Sequence, residues 1–102
     1  MLYVYILKCS DDSYYVGVTN NLEVRFYQHQ EGVFETCYTY KRRPVELKYY
    51  EIIQDNLQAI AREKQLKGWT RIKKEALINQ NWKNLIEFSK NYKVRFPKNK
   101  DS

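Results

Sequence analysis

The stretch LYVYILK, residues 2–8, constrains the fold more than any other part of the chain. β-Branched and aromatic residues dominate it, which is strand composition. Its apolar side chains fall on both alternating faces, so neither face can be left to water. Such a strand belongs in the middle of a sheet with cover on each side. CSDDS, residues 9–13, is turn chemistry, and YYVGV, residues 14–18, returns as the second strand of a hairpin.

The loop of that hairpin decides which tyrosines meet. A two-residue loop at Asp11 and Asp12 sets Tyr5 opposite Val18 and sends Tyr15 to the other face. A three-residue loop with Asp12 in the left-handed region, as in a G1 bulge, puts Tyr5 and Tyr15 on one face. The sequence allows both, and in either case the two tyrosines can be ordinary strand residues.

Asn20 or Asn21 caps a helix over about residues 22–31, and Gly32 suits its C′ position. Residues 33–44 show no clean period and end in the basic YKRRP, so they read as an exposed loop and a candidate for function. VELKYYEII, residues 45–53, is a third strand. Asp55 or Asn56 caps LQAIAREKQLK, which Gly68 ends, and Thr70 caps RIKKEALIN. NWKNLIEFSK continues the helical period with Trp82, Leu85, Ile86 and Ser89 on one side. The order β-β-α-β-α-α-α predicts an α+β domain around a small antiparallel sheet. It spans residues 1–90, with residues 91–102 as a frayed basic tail.

At 102 residues, 43% hydrophobic and 29% charged, the chain is one globular domain rather than a disordered segment. The apolar run at residues 2–7 is far short of a bilayer span, and the start lacks the basic region of a signal peptide. The expectation is a cytoplasmic protein without a membrane partner. Cys9 and Cys37 read as two small, half-buried reduced thiols. With a single His and no Cys-x-x-Cys, zinc ligation is not expected. Charge is uneven: from Arg62 onward lie 12 of the 18 Lys and Arg but only 4 of the 12 Asp and Glu. A basic half suits a polyanionic partner such as nucleic acid, and equally a solvated, solubilising face.

Three residues stand out chemically. Glu63 has Ala59, Ile60, Leu66 and Lys67 three or four positions away, so it shares their helix face. With Ala59, Ile60 and Leu66 facing the core, its carboxylate needs a cation, a hydrogen-bond donor or a metal. Bonding to a Tyr or an Arg of another element meets that need as well as a metal does. Arg25 and His29, four apart on one helix, project from the same face beside Leu22, Val24 and Phe26. His29 is either a satisfied packing residue or a proton carrier. Arg25 offers a fork suited to a phosphate.

Together these residues resemble the GIY-YIG nuclease superfamily, and in particular its small stand-alone bacterial members. The resemblance runs from about Leu2 to Ile78 and rests on YVYILKCSDDSYYVGVTNNLEVRFYQHQEG and AIAREKQLKGWTRIKKEALI. YVY, residues 3–5, and YVG, residues 15–17, correspond to the two name-giving triplets, with Tyr3 in place of the first glycine. The resemblance implies a three-stranded antiparallel sheet flanked by helices and a metal-dependent endonuclease. It implies that Glu63 ligates Mg²⁺ or Mn²⁺, and that Tyr5 is the general base, its pKa lowered by the metal or nearby cations. Arg25 would hold the phosphate and stabilise developing charge, with Tyr15 and His29 orienting water or moving protons. Gly17 would permit close approach of the substrate to the backbone, and Trp69 and Arg71 would track the substrate backbone.

The implied substrate is DNA: branched, nicked, single-stranded or damaged forms, as in repair. The chain has no room for a separate DNA-binding domain, so affinity would be weak or supplied by a targeting protein partner. Two features depart from the family pattern. Asn79 stands nearest a further family Asn but is assigned no role, and GVFETCYTY with Glu35 is a bulkier, less basic loop than expected. Two other readings stay open: a nucleic-acid-binding module without turnover, and a protein-interaction adaptor that uses exposed aromatics.

Overall fold

The computed structural model describes residues 1–80. The helix expected over residues 81–90 and the tail at 91–102 lie outside the described residues. Along the chain come β1 (Leu2–Lys8), β2 (Tyr14–Thr19), α1 (Leu22–Glu31) and a single 3-10 turn at Tyr40–Arg42. β3 (Glu46–Ile53), α2 (Asn56–Lys67) and α3 (Arg71–Gln80) follow. The sheet is antiparallel and three-stranded in the order β2-β1-β3, so the strand that is apolar on both faces is the central one.

Both faces of β1 are covered. Tyr5, Leu7 and Cys9 pack with Leu22 and Phe26 of α1 and with Val45 and Leu47. Val4 and Ile6 pack on the opposite face with Val16, Tyr49, Ala59, Leu66 and Ile78. Leu47 and Tyr49 are two apart yet lie in different clusters. The pairing steps from Ile6–Tyr49 to Leu7–Leu47, leaving Lys48 as an extra residue, and this bulge reverses the alternation of β3.

The helix ends follow from local chemistry. The Asn21 side chain accepts the Val24 N–H at 3.1 Å, and the Asp55 carboxylate accepts the Gln58 N–H at 2.9 Å. Thr70 Oγ1 accepts the Lys73 N–H at 3.3 Å. Gly32 ends α1 with φ 75°, and the Val33 N–H reaches back to the Gln28 carbonyl at 3.0 Å. α1 is tied to the start of β3 by the Gln30 amide. It donates to the Val45 carbonyl at 2.8 Å and accepts the Val45 N–H at 2.7 Å.

Two sequence expectations are corrected here. Ile60 does not face the core but is 42% exposed, while Ala59 and Leu66 are fully buried. The buried stripe of α2 runs through positions 59 and 66, and Ile60 sits roughly 100° around the helix from Ala59. Cys9 is buried rather than half-buried, Cys37 is half-buried, and both are free thiols. No helix among the described residues is long and apolar enough to cross a membrane.

Candidate active site

The β1–β2 loop takes the three-residue form. The Cys9 N–H donates to the Ser13 carbonyl at 2.8 Å, the Asp12 N–H to the Cys9 carbonyl at 2.9 Å, and Asp12 has φ 73°. Register then sets Tyr5 opposite Gly17 and Leu7 opposite Tyr15, so Tyr5 and Tyr15 share a face. Their ring centroids are 6.3 Å apart.

Tyr5 lies directly over Gly17. A Cβ at position 17 would stand 2.4 Å from the Tyr5 hydroxyl oxygen, 2.5 Å from its Cζ and 3.1 Å from Cε2 of Tyr15. What approaches the Gly17 backbone is thus a side chain of this chain, where the sequence reading expected substrate. Glycine lets the phenol cross the neighbouring strand toward α1.

There it meets His29, which is 2% exposed, with 2.9 Å between the Tyr5 hydroxyl and Nε2. Nδ1 lies 2.9 Å from Thr39 Oγ1, and the Thr39 hydroxyl donates to Cys37 Sγ at 3.5 Å. With the threonine proton committed to sulfur, its oxygen accepts from Nδ1–H, and Nε2 is left to accept from Tyr5. The Tyr15 and Phe34 rings close around the imidazole at 5.2 and 5.6 Å, both edge-on. Arg25 is half-buried, with its guanidinium 5.4 Å from the Phe34 centroid and close enough to act on Tyr5, Tyr15 and His29.

The electrostatics follow from enclosure. Burial, aided by the Arg25 charge, pushes His29 down to about 4, so it is neutral at pH 7. Burial and Tyr15 push the Tyr5 hydroxyl up by more than Arg25 lowers it. Of the two causes expected to lower Tyr5, the neighbouring cation is outweighed: without a metal, desolvation wins over Arg25. Tyr15 is pushed up to about 12 by burial, by Cys37 and by the Glu63 carboxylate. Burial raises the Cys37 thiol, but hydrogen bonds from Thr39, Tyr15 and the Tyr38 backbone outweigh it, and the net shift is downward.

Glu63 belongs to α2, on the opposite face of the sheet, and β2 is the edge strand between them. Its field nevertheless reaches Tyr15, so the site wraps around that edge. The carboxylate is 14% exposed, and its cation is Lys67, with Nζ 2.7 Å from Oε2. Among the described residues no group of three or more His, Cys, Asp and Glu could hold a metal. A single half-enclosed carboxylate suits a hard cation that takes most of its ligands from water and phosphate.

Two other predicted residues lie elsewhere. Trp69 packs under the α2–α3 side, with Arg62 5.3 Å and Lys73 4.8 Å from its ring centroid. Arg71 donates to the Asp12 carbonyl, pairs with Glu75 at 3.1 Å and lies over the Tyr14 ring. Both are engaged in holding α3 and the hairpin, and neither joins the Tyr5–His29 group. Asn79 is exposed near the end of α3. The sequence reading missed Thr39, Cys37, Phe34 and Tyr38. All four come from the aperiodic segment 33–44, whose one signal was its lack of period.

A family model described as the GIY-YIG catalytic domain matches residues 1–76. A UPF0213 protein of Clostridium perfringens is 47% identical over 79 residues, covering 78% of this chain and 84% of that protein. One of Syntrophus aciditrophicus is 43% identical over 79 residues, covering 78% and 91%. The solution NMR structure of a UPF0213 protein from Bacillus halodurans superposes with a TM-score of 0.51 at 34% identity, over 78% of this chain and 85% of that one.

Proposed function

The chain belongs to the GIY-YIG family, and from that membership we propose that it is a divalent-metal-dependent endonuclease hydrolysing phosphodiester bonds in DNA, branched, nicked, single-stranded or damaged. One observation carries the reading: the Tyr5 hydroxyl lies 2.9 Å from Nε2 of His29, which is 2% exposed, beside a half-buried Arg25, with Glu63 in electrostatic reach of Tyr15. A module that only held nucleic acid would have no use for such a proton acceptor.

Arg25 grips the scissile phosphate and offsets its developing charge. The attacking water gives its proton to the Tyr5 oxygen as the Tyr5 proton passes to Nε2 of His29. Tyr5 works here as a relay rather than a preformed phenolate, which fits its raised pKa. Thr39 keeps the other imidazole proton on Nδ1, so that Nε2 is free to accept. Tyr15 orients the water. Tyr5 is only 1% exposed, so substrate binding must part its cover, which includes Tyr15 and Arg25, to admit water. Glu63 would hold Mg²⁺ or Mn²⁺, which polarises the phosphoryl oxygens when bound.

The test is cleavage of plasmid, single-stranded and branched DNA by wild type and Glu63→Gln, with Mg²⁺, with Mn²⁺ and with neither. Metal-dependent nicking that falls about a hundredfold or more in a folded Glu63→Gln is expected. A folded wild type that cuts nothing with either metal, or a variant that cuts equally well, overturns the proposal and leaves a nucleic-acid-binding module.

A further inference from the structure

On the β2 side of Glu63 lies a cleft of about 270 Å³ lined by Tyr14, Tyr15, Val16, Tyr38, Lys67 and Lys74. We propose that this cleft seats a nucleotide phosphate, and that Lys67 passes from Glu63 to that phosphate when a divalent cation takes Glu63. The proposal rests on the nuclease reading for its metal and goes beyond it in naming a second anion site and a coupling residue.

Lys74 supplies the first argument. It is half-buried, and its ammonium has no ion-pair partner among the described residues. Burial alone lowers its pKa, with no carboxylate pulling the other way. A cation held partly out of water without a counter-charge is costly, and an anion in the cleft removes that cost.

Lys67 supplies the second. Its side chain is 53% exposed on a four-carbon stem, and it both pairs with Glu63 and lines the cleft. An i,i+4 ion pair on a helix surface is weak, so it yields to a doubly charged ion. Two cations cannot both sit against one carboxylate without repelling each other, and the cleft is where the displaced ammonium can go. There it joins Lys74 in presenting two positive charges to one phosphate.

The walls supply the third. Tyr38 is 43% exposed, stacks on Tyr15 at 6.4 Å between centroids and 18° between planes, and carries the Arg42 guanidinium 3.8 Å from its ring centroid, which leaves its edge to the cleft. Such aromatic surface suits the sugar and base carried by a phosphate rather than a bare inorganic anion. The coupling runs both ways: metal at Glu63 tightens nucleotide binding, and nucleotide tightens metal by the same factor.

The experiment is a set of backbone amide NMR titrations of the full chain with Mg²⁺, thymidine 5′-monophosphate and inorganic phosphate, on wild type, Lys74→Gln and Lys67→Gln. Thymidine monophosphate is expected to shift the signals of Tyr14, Tyr15, Val16 and Lys74, to bind more tightly than phosphate, and to weaken at least about fivefold in Lys74→Gln. In Lys67→Gln, Mg²⁺ alone binds severalfold more tightly, while saturating Mg²⁺ loses most of its power to tighten the nucleotide. Direct metal–phosphate bridging would survive that substitution, so the comparison isolates Lys67. Signals in the cleft indifferent to the nucleotide, affinity no better than phosphate, or a Lys67→Gln that matches wild type in both titrations overturns the proposal. None of these readouts needs cleavage. A chain that binds as described but cuts no DNA upholds the cleft and sinks the nuclease reading; one that cuts DNA with an indifferent cleft does the reverse.

Discussion

Gly17→Ala tests whether position 17 serves packing or substrate. The added methyl would meet the tip of the Tyr5 ring at 2.4–2.5 Å and the Tyr15 ring at 3.1 Å. A ring tip often swings aside, but Tyr5 is 1% exposed and tied to His29, so it has no free space to enter. Overpacking a filled core costs about 1–3 kcal/mol. Displacing the phenol from His29 gives up a buried hydrogen bond worth about 1 kcal/mol. Gly17 does not have positive φ, so alanine's narrower unfolded ensemble offsets about 0.4–1 kcal/mol. The net loss is about 2 kcal/mol, which lowers Tm by about 8–16 °C in a domain of this size. Urea unfolding and a thermal melt, both without metal or nucleic acid, measure it directly. A variant within about 0.5 kcal/mol of wild type refutes the packing argument; if that variant also loses DNA binding, Gly17 faces substrate after all.

His29 makes stability depend on pH. Its pKa is about 4 folded against 6.5 unfolded, so below 6.5 the unfolded chain takes up the proton first. Stability therefore falls by about 3 kcal/mol as pH drops from 6.5 to 4, and His29→Gln should flatten that part of the curve in urea titrations. Thr39→Val strands a buried Nδ1–H and should cost about 1–3 kcal/mol, with the imidazole ¹⁵N shifts no longer showing one tautomer. Thr39→Ser should restore both, and failure to do so removes Thr39 from the network. Asp55→Ala, which strips the α2 cap, should cost about 1 kcal/mol in the same unfolding assay.

The chain's local chemistry determined the elements. LYVYILK is apolar on both faces and had to be a central strand, and Asn21, Gly32, Asp55 and Thr70 mark helix ends by bonds made within a few residues. Such signals survive in sequence because both partners are near neighbours. The residues of the proposed site, Tyr5, Tyr15, Arg25, His29 and Glu63, were named from the sequence through the family resemblance, whose motifs lie in one hairpin and two helices. Only tertiary structure decided what each one touches. The Asp12 conformation set the tyrosine register, where the sequence allowed two loops differing by one residue. Desolvation by the assembled core outweighs the lowering that Arg25 gives Tyr5, because burial depends on every neighbour at once. Thr39 reaches His29 from an aperiodic segment, and Trp69 and Arg71 make their contacts on the α2–α3 side, apart from the Tyr5–His29 group. A periodic pattern records which face of an element is buried; it carries no record of which side chain from another element will arrive there.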